Sequence, residues 1–288
     1  MLETATVPVS SWARSWGRVR RSRSACVAAA GLGAIALLAA VGPMWSGFPY
    51  DKLDWQHLAA APFATAHWLG TDRLGRDLYV RTLYGVRLSL AIGLTATAIS
   101  VVIGVAWGAT AGFLGGRVDG AMMRIVDVLN ALPYLFLVIA LTALFGRGNL
   151  YVLFLAIGAV GWITMARIVR GQAVSLRHRA FLEAAVASGA ATPRILTRHV
   201  VPNVLGPVVV YAALTIPQMI LFESFLSFLG LGVQEPLASL GTLVRDGAEQ
   251  MGSAPWLLIV PASVLVVLLL GFNLLGDGLR DALDPRDA

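Results

Sequence analysis

The sequence predicts an all-α protein that crosses a membrane six times. Only 13% of its 288 residues are charged, whereas 57% are hydrophobic. A soluble domain carries about 25% charged residues because its surface meets water, so much of the outside of this chain must face lipid. The charged residues also cluster, and they leave six uncharged stretches. Each stretch has at least about 19 residues, which is enough for a helix to cross a hydrocarbon core of about 30 Å.

The predicted spans follow from these stretches, which are Ser24–Tyr50, Leu88–Gly116, Val128–Gly146, Gly148–Ala166, His199–Phe222 and Gln250–Gly276. Only Arg147 separates the third stretch from the fourth. One helix through both would run roughly 58 Å at about 1.5 Å per residue, which is too long for one crossing. The turn-like sequence Gly146-Arg147-Gly148-Asn149 therefore predicts a helical hairpin.

The distribution of lysine and arginine predicts the orientation of the chain, because these residues accumulate on the cytoplasmic side. Six spans place both termini on one side. That side then holds five arginines in the N-terminal tail, two in the second loop, six from Arg167 to Arg198 and two near the C-terminus, which makes 15 of the 22 basic residues. We therefore expect both termini in the cytoplasm.

The sequence lacks the residues that several classes of protein function require. The sequence contains no glycine-rich phosphate loop, and its sole lysine, Lys52, is predicted to lie outside the cell. The histidines His57, His67, His178 and His199 have no metal-ligand spacing, so we expect no metal site and no cofactor bound by this chain. The acids Asp127 and Glu223 lie near span ends, where both a structural role and a proton relay are possible. If the chain is a transporter, the lack of an ion relay and of a nucleotide site in its sequence indicates that a partner protein supplies the energy.

The long loop 167–203 is too polar for the membrane interior but has helix-forming sequence. The segment Phe181–Ala190 is rich in alanine, and Gly189 can end a helix there. Thr192 and Pro193 predict an N-cap and a first helical position, followed by a short helix that stops before Pro202. The small side chains of the first helix would let another protein approach closely, although a solvated linker is the alternative.

The loop contains a motif made of Glu183, Ala184, Ala185, Gly189, His199, Pro202 and Asn203. This motif resembles the EAA loop of ABC importer permeases. In that family, the loop docks on the ATP-binding subunit and couples ATP hydrolysis to transport. The pattern His199-x-x-Pro202-Asn203 resembles the branch of the family that handles peptides and nickel.

Other blocks resemble the same branch. His67 to Asp77 is similar to its signature before the second span, with candidate site residues Gly70, Thr71, Asp72, Gly75, Arg76 and Asp77. We expect Asp72 and Asp77 to pair with Arg73, Arg76 or Arg81 and to stabilise an outer lid, while direct contact with substrate or a binding protein is the alternative. Further matching blocks are Arg124–Asp127, Leu226–Gly232 and Asn273–Arg286.

The resemblance implies the type I ABC importer permease fold, in a multi-pass protein of the cytoplasmic membrane. The implied domains are a cytoplasmic tail at 1–24, the first span and extracytoplasmic loop at 25–87, the permease domain with its coupling loop at 88–277, and a C-terminal tail at 278–288. Span five is expected to line the translocation path around Gln218 and Glu223. Gly93, Gly104, Gly108 and Gly112 in span two are expected to pack against a second permease.

The implied partners are that second homologous permease in a heterodimer, two ATP-binding subunits or one fused ATPase, an extracytoplasmic substrate-binding protein, and membrane lipid, but no nucleic acid. ATP and Mg²⁺ would bind the partner subunits, so the chain itself would not be an enzyme. The implied cargo is di- or oligopeptides. The alternatives are nickel or another small solute carried by the same machinery, or an ion-coupled secondary transporter.

Overall fold

The computed structural model describes residues 22–145 and 149–283 of the chain. Within these ranges the backbone is mostly helical, and its one β-contact is the isolated bridge between Thr71 and Asp77. Most of the predicted N-terminal tail, Gly146 to Gly148 in the predicted hairpin turn, and Arg286 lie outside the described residues.

The helices follow one another in a single series. They are α1 (Arg23–Val41), α2 (Pro43–Ser46), α3 (Leu78–Leu114), α4 (Gly116–Ala131), α5 (Tyr134–Phe145), α6 (Leu150–Arg177), α7 (Ala180–Ala187), α8 (Thr192–Ile195), α9 (Val201–Phe228), α10 (Leu240–Glu249) and α11 (Trp256–Leu283). A π-helical turn, Leu196–Val200, joins α8 to α9.

The predicted membrane spans are confirmed, with one change of shape. In the described part of the chain, five helices are long and apolar enough to cross a membrane, and α4 with α5 makes a sixth span if the two are counted together. These two helices meet at 88°. The break lies at Leu132, which is extended, immediately before Pro133. Proline disfavours helical conformation in the residue before it, so the third span is bent rather than straight.

The predicted boundary between the third and fourth spans is also present. Helix α5 ends at Phe145 and α6 begins at Leu150. Asn149 is the N-cap of α6, where its side chain accepts a hydrogen bond from the Tyr151 amide at 3.0 Å. Capping by asparagine satisfies an amide that has no partner inside the helix, and this explains why a new helix starts here.

Helix α6 packs along much of α3, and glycines of α3 allow the close approach. A Cβ atom added at Gly108 would lie 2.3 Å from the Ala166 carbonyl oxygen, and one added at Gly112 would lie 2.6 Å from that of Arg170. Gly104 faces Met165 in the same way, whereas Gly93 faces Ile220 of α9. The expectation that these glycines pack against a second permease is therefore wrong, because they pack against helices of their own chain.

The end of the long loop also differs from the prediction. The residue that caps α8 is Ala191 rather than Thr192, and Thr192 is the first helical residue. The predicted short helix does not stop before Pro202, because the π-turn continues directly into α9. Proline cannot donate an amide and its ring crowds the carbonyl four residues earlier. The wider π-turn immediately before Pro202 accommodates both effects within one continuous helix.

Candidate functional site

Helix α7, which carries the alanine-rich motif, presents a small apolar surface to solvent. Leu182 is completely buried and belongs to an apolar cluster that includes Ile195, Val200 and Val204. On the other side of the helix, Phe181 is 45% exposed and Val186 is 54% exposed. The buried leucine thus holds the helix against α9 while the exposed residues are free to contact another protein.

Gly189 ends this helix for a conformational reason. Its φ angle is +75°, which only glycine adopts readily, and no atom outside its neighbours lies within 4 Å of the position of a Cβ. The Ala190 amide donates back to the Ala185 carbonyl at 3.2 Å, which closes the helix end. Glu183 and Ala184 are exposed and Ala185 is half-buried. The motif therefore forms a capped, accessible helix.

The second half of the motif shapes the start of α9. The Asn203 side-chain amide donates to the His199 carbonyl at 2.7 Å, immediately beside the π-turn. The His199 ring is half-buried, and its centroid lies 6.5 Å from that of the Phe181 ring on α7. Pro202 and Asn203 are exposed. These residues connect the conformation of the loop to the first turns of span five.

The loop between the first two spans is held by two glycines with positive φ. Gly70 has φ +80° and Gly75 has φ +77°. A Cβ at Gly75 would lie 1.9 Å from the Asp54 carbonyl oxygen, and one at Gly70 would lie 2.3 Å from the Ala60 carbonyl oxygen. Thr71 is fully buried and donates its hydroxyl to the His57 carbonyl. The predicted site residues of this loop therefore fold the earlier segment, residues 54–61, onto the start of α3.

The expected acid–base pairs are partly present. Asp72 accepts from Arg76 Nε at 2.6 Å, and the Arg81 Nε atom lies 3.5 Å from the same carboxylate. Arg76 also reaches Glu235, between α9 and α10, at 3.1 Å. Burial alone would lower the pKa of Arg76, but the carboxylates of Asp72 and Glu235 outweigh burial and raise it. These contacts join the first loop to the segment between α9 and α10.

Asp77 does not pair with an arginine, so that expectation is wrong. Its Oδ1 accepts from the Val80 amide at 2.8 Å and thereby caps α3. Its Oδ2 lies 2.8 Å from Nδ1 of His67. A carboxylate at a helix N-terminus satisfies amides that have no helical partner, and this fixes Asp77 away from the arginines. Helix α3 consequently begins at Leu78, well before the uncharged stretch that starts at Leu88.

A cavity of about 570 Å³ opens between the bend in the third span and the middle of α6 and α9. Gln218, which is predicted to line the translocation path, lies on the wall of this cavity. Its other polar lining residues include Asn130, Thr164, Tyr211 and Thr215. The sequence analysis missed these residues because their contribution depends on the break at Pro133, which no uncharged stretch reveals.

Glu223, the other predicted path residue, does not line this cavity. It is fully buried between α3, α9 and α10. Its carboxyl group accepts from Ser227 at 2.7 Å and from Ser89 at 3.0 Å. The Ser89 hydroxyl also accepts from the Leu240 amide at the start of α10, at 3.3 Å. Glu223 therefore connects three helices.

Two of the histidines that look isolated in the sequence are neighbours in the structure. The ring centroids of His57 and His67 lie 6.2 Å apart. Asp54 lies beside both, 2.9 Å from His57 Nδ1 and 3.5 Å from His67 Nε2. The hydrogen bond with His57 lowers the pKa of Asp54 to about 2, and the Gln56 amide adds to the effect. Sequence spacing did not indicate this cluster, because a folded loop of nine residues separates the histidines.

Comparison with protein families gives two matches. Residues 79–287 match the family described as binding-protein-dependent transport system inner membrane component. Residues 10–62 match the family described as the N-terminal transmembrane domain of oligopeptide transport permease C. The two matches together extend over most of the chain.

Individual relatives agree with these families. The chain is 52% identical over 279 residues to the oligopeptide transport system permease protein OppC of Escherichia coli, covering 96% of this chain and 92% of that one. It is 48% identical to OppC of Haemophilus influenzae, with 96% and 89% covered. It is 42% identical to the dipeptide transport system permease protein DppC of Bacillus subtilis, with 94% and 85% covered.

A solved structure shares the fold. The inward-facing MetNI methionine ABC transporter matches with a TM-score of 0.54, covering 71% of this chain and 96% of that one. The sequence identity is 20%. At this sequence identity, the match shows that the two proteins share a fold.

Proposed function

Because the chain belongs to the binding-protein-dependent transport system inner membrane component family, in its oligopeptide and dipeptide permease branch, we propose that it is a permease subunit of an ATP-driven peptide importer. It is a multi-pass protein of the cytoplasmic membrane. The subunit moves di- or oligopeptides by alternating access, together with a second homologous permease. ATP and Mg²⁺ bind partner ATPases, and this chain has no catalytic role of its own.

The observation that carries the proposal is that helix α7 is accessible on one side and packed through a buried residue on the other. Phe181 and Val186 face outwards, whereas Leu182 is buried against the residues that lead into span five. A force applied to α7 by two closing ATPases is transmitted through Leu182 to α9 because packed side chains resist compression. Movement of α9 then moves the wall of the cavity that contains Gln218.

The other partners follow from the same arrangement. The family implies an ATPase and a binding protein, and we assign α7 to the ATPases and the first loop to the extracytoplasmic side. The excess of arginine on the side of α7 supports this orientation. The ion pairs of Asp72, Arg76 and Glu235 give the outer side a folded surface on which a binding protein can dock.

Two other functions make different predictions. Nickel or another small solute would use the same subunits and the same α7 contact, so only the cargo of the binding protein distinguishes it. An ion-coupled secondary transporter would work without ATPases.

The proposal can be tested by co-purification of the subunits combined with a transport assay. We would express the chain with its cognate permease, ATPases and binding protein, and measure peptide uptake into liposomes together with ATP hydrolysis. Val186→Asp places a charge on the α7 contact surface and should reduce ATPase association and uptake by more than tenfold. Val118→Asp is the matched control, because Val118 is also exposed, at 45%, but lies on α4 outside the coupling loop. Uptake by the chain alone, without ATPases, would refute the proposal.

A further inference from the structure

The loop between the first two spans brings three metal-ligating side chains together. The ligand atoms of Asp54, His57 and His67 all lie within 4.8 Å of one another. In a tetrahedral zinc site with bonds of 2.0–2.1 Å, neighbouring ligand atoms lie about 3.3 Å apart. The distances from Asp54 Oδ2, 2.9 Å to His57 Nδ1 and 3.5 Å to His67 Nε2, lie on either side of that value. Without metal, His57 Nδ1 donates to Asp54, and binding of an ion would move that proton to His57 Nε2. We propose that these three residues form a site for a divalent transition-metal ion such as Zn²⁺.

The hydrogen bonds around His67 leave the correct atom free for a metal. Its Nδ1 lies 2.8 Å from Asp77 Oδ2, and an ionised carboxylate can only accept, so Nδ1 carries the proton. In the neutral ring, the Nε2 lone pair then points towards Asp54. Two acceptors that face each other repel unless a positive charge lies between them. A bound cation supplies that charge, and the carboxylate–histidine–metal arrangement is the usual way in which proteins orient such a ligand.

The remaining ligand atoms are also held in place. The Gln56 amide donates to Asp54 Oδ1 at 3.0 Å, so Oδ2 is the oxygen that faces both histidines. Asp77 is itself fixed by the Val80 amide at 2.8 Å. The backbone of Asp54 lies directly against Gly75. The ligands thus come from two segments whose separation is already set by the fold.

Exposure and ligand type agree with a site that keeps a water molecule. The side chain of His67 is 3% exposed, whereas those of His57 and Asp54 are 40% and 30% exposed. Solvent can therefore supply a fourth ligand from the side of His57. Two imidazoles and one carboxylate suit zinc and its neighbours in the first transition series better than Mg²⁺ or Ca²⁺, which prefer oxygen ligands only. The ion would join the turn 54–57 to the start of α3.

Metal titration of the full chain tests this site. The protein is purified in detergent with an affinity tag that contains no histidine, and Zn²⁺ is titrated in competition with a chromophoric chelator. We expect one equivalent bound per chain. His57→Ala should weaken binding by more than about tenfold. Asp77→Asn keeps an oxygen that can cap α3 but replaces the carboxylate oxygen that orients His67, and it should weaken binding by about 10–100-fold. His178→Ala is the control, because His178 is the C-cap of α6 and lies outside the cluster.

Folding and coordination are checked separately. His57 is the main variant because its side chain is partly exposed, and its unfolding temperature in excess chelator should equal that of the original chain. Added Zn²⁺ should raise the unfolding temperature of the original chain but not of His57→Ala. With Co²⁺ as the probe, the visible bands of a four-coordinate ion should appear and should be lost in His57→Ala. Failure of the original chain to bind Zn²⁺, or equal binding by His57→Ala, would overturn the proposal in favour of a protonated His67 between two carboxylates.

Discussion

The carboxyl group of Glu223 accepts a hydrogen bond from the hydroxyl of Ser89 at 3.0 Å, although the two residues are 134 positions apart in the chain. Both side chains are fully buried, and Ser227 donates to the other carboxyl oxygen. Through Ser89, which also accepts from the Leu240 amide, the same group reaches the start of α10. One acid thus joins α3, α9 and α10 at a single point inside the bundle.

Removal of the Ser89 hydroxyl should destabilise the chain. Ser89→Ala leaves both a carboxyl oxygen and the Leu240 amide without this partner, and an unsatisfied buried polar group costs about 1–3 kcal/mol. We expect a lower unfolding temperature by scanning fluorimetry. Ser263→Ala is the control, since Ser263 is exposed on α11 and bonds only to the Ile259 carbonyl. An equal effect of both substitutions would argue against the buried junction.

Gly75→Ala should be more damaging than its backbone conformation alone explains. Gly75 and Gly116 both have positive φ angles, +77° and +55°, so alanine costs about 1–2 kcal/mol at either position. At Gly75 the new Cβ would also collide with the Asp54 carbonyl, whereas the space at Gly116 is open. We predict a clearly larger fall in the unfolding temperature for Gly75→Ala than for Gly116→Ala. Comparable losses would mean that the loop can move away from Gly75.

Gly189→Trp tests whether α7 couples this chain to an ATPase. The substitution adds bulk at the exposed end of α7 and a residue that disfavours φ +75°, so docking of an ATPase should fail. We predict that transport-coupled ATP hydrolysis is abolished, as it should also be when residues 183–189 are deleted. Gly47→Trp carries the same backbone strain, at φ +71° with open space around it, but lies in the first loop. Full transport by a Gly189→Trp complex that assembles normally would show that α7 is not the coupling element.

Gln218→Trp tests whether the cavity beside Pro133 carries the cargo, and it should block transport without unfolding the chain. Gln218 is exposed on the wall of the cavity of about 570 Å³, and tryptophan would occupy much of the space beside the bend at Pro133. We expect peptide uptake to fall by more than tenfold while the complex still binds its ATPases. Val266→Trp is the control, because Val266 is 52% exposed on α11 and does not line the cavity. Normal uptake by Gln218→Trp would place the path elsewhere.

The length of the uncharged stretches predicts the spans but not their shape. The sequence divides Val128–Ala166 because one helix would be too long, yet α3 is a single helix of 37 residues. Helix α6 starts at Leu150 because Asn149 caps it there, and this is a local signal rather than a limit on length. The 88° bend at Pro133 was not predicted, although a proline and the restricted residue before it were visible in the sequence.

In the loop between the first two spans, the sequence likewise predicts some features and not others. Gly70 and Gly75 could be recognised as turn residues because positive φ angles favour glycine at positions that are local in the chain. The partner of Asp77 could not be recognised in this way. Asp77 has nearby arginines in sequence, but the direction of α3 turns its carboxyl group towards Val80 and His67.

The sequence itself determined the number of spans, the capped end of α7 at Gly189 and the family motif. Hydrophobic length, helix capping and the left-handed conformation of glycine all depend on residues that are close together in the chain. The tertiary structure alone decided that Gln218 lines a cavity, that Glu223 joins three helices and that His57 meets His67. Each of these depends on the packing of segments that are far apart in sequence. The free energy of burying a polar group is set by the partners that packing brings to it, and no local pattern specifies them.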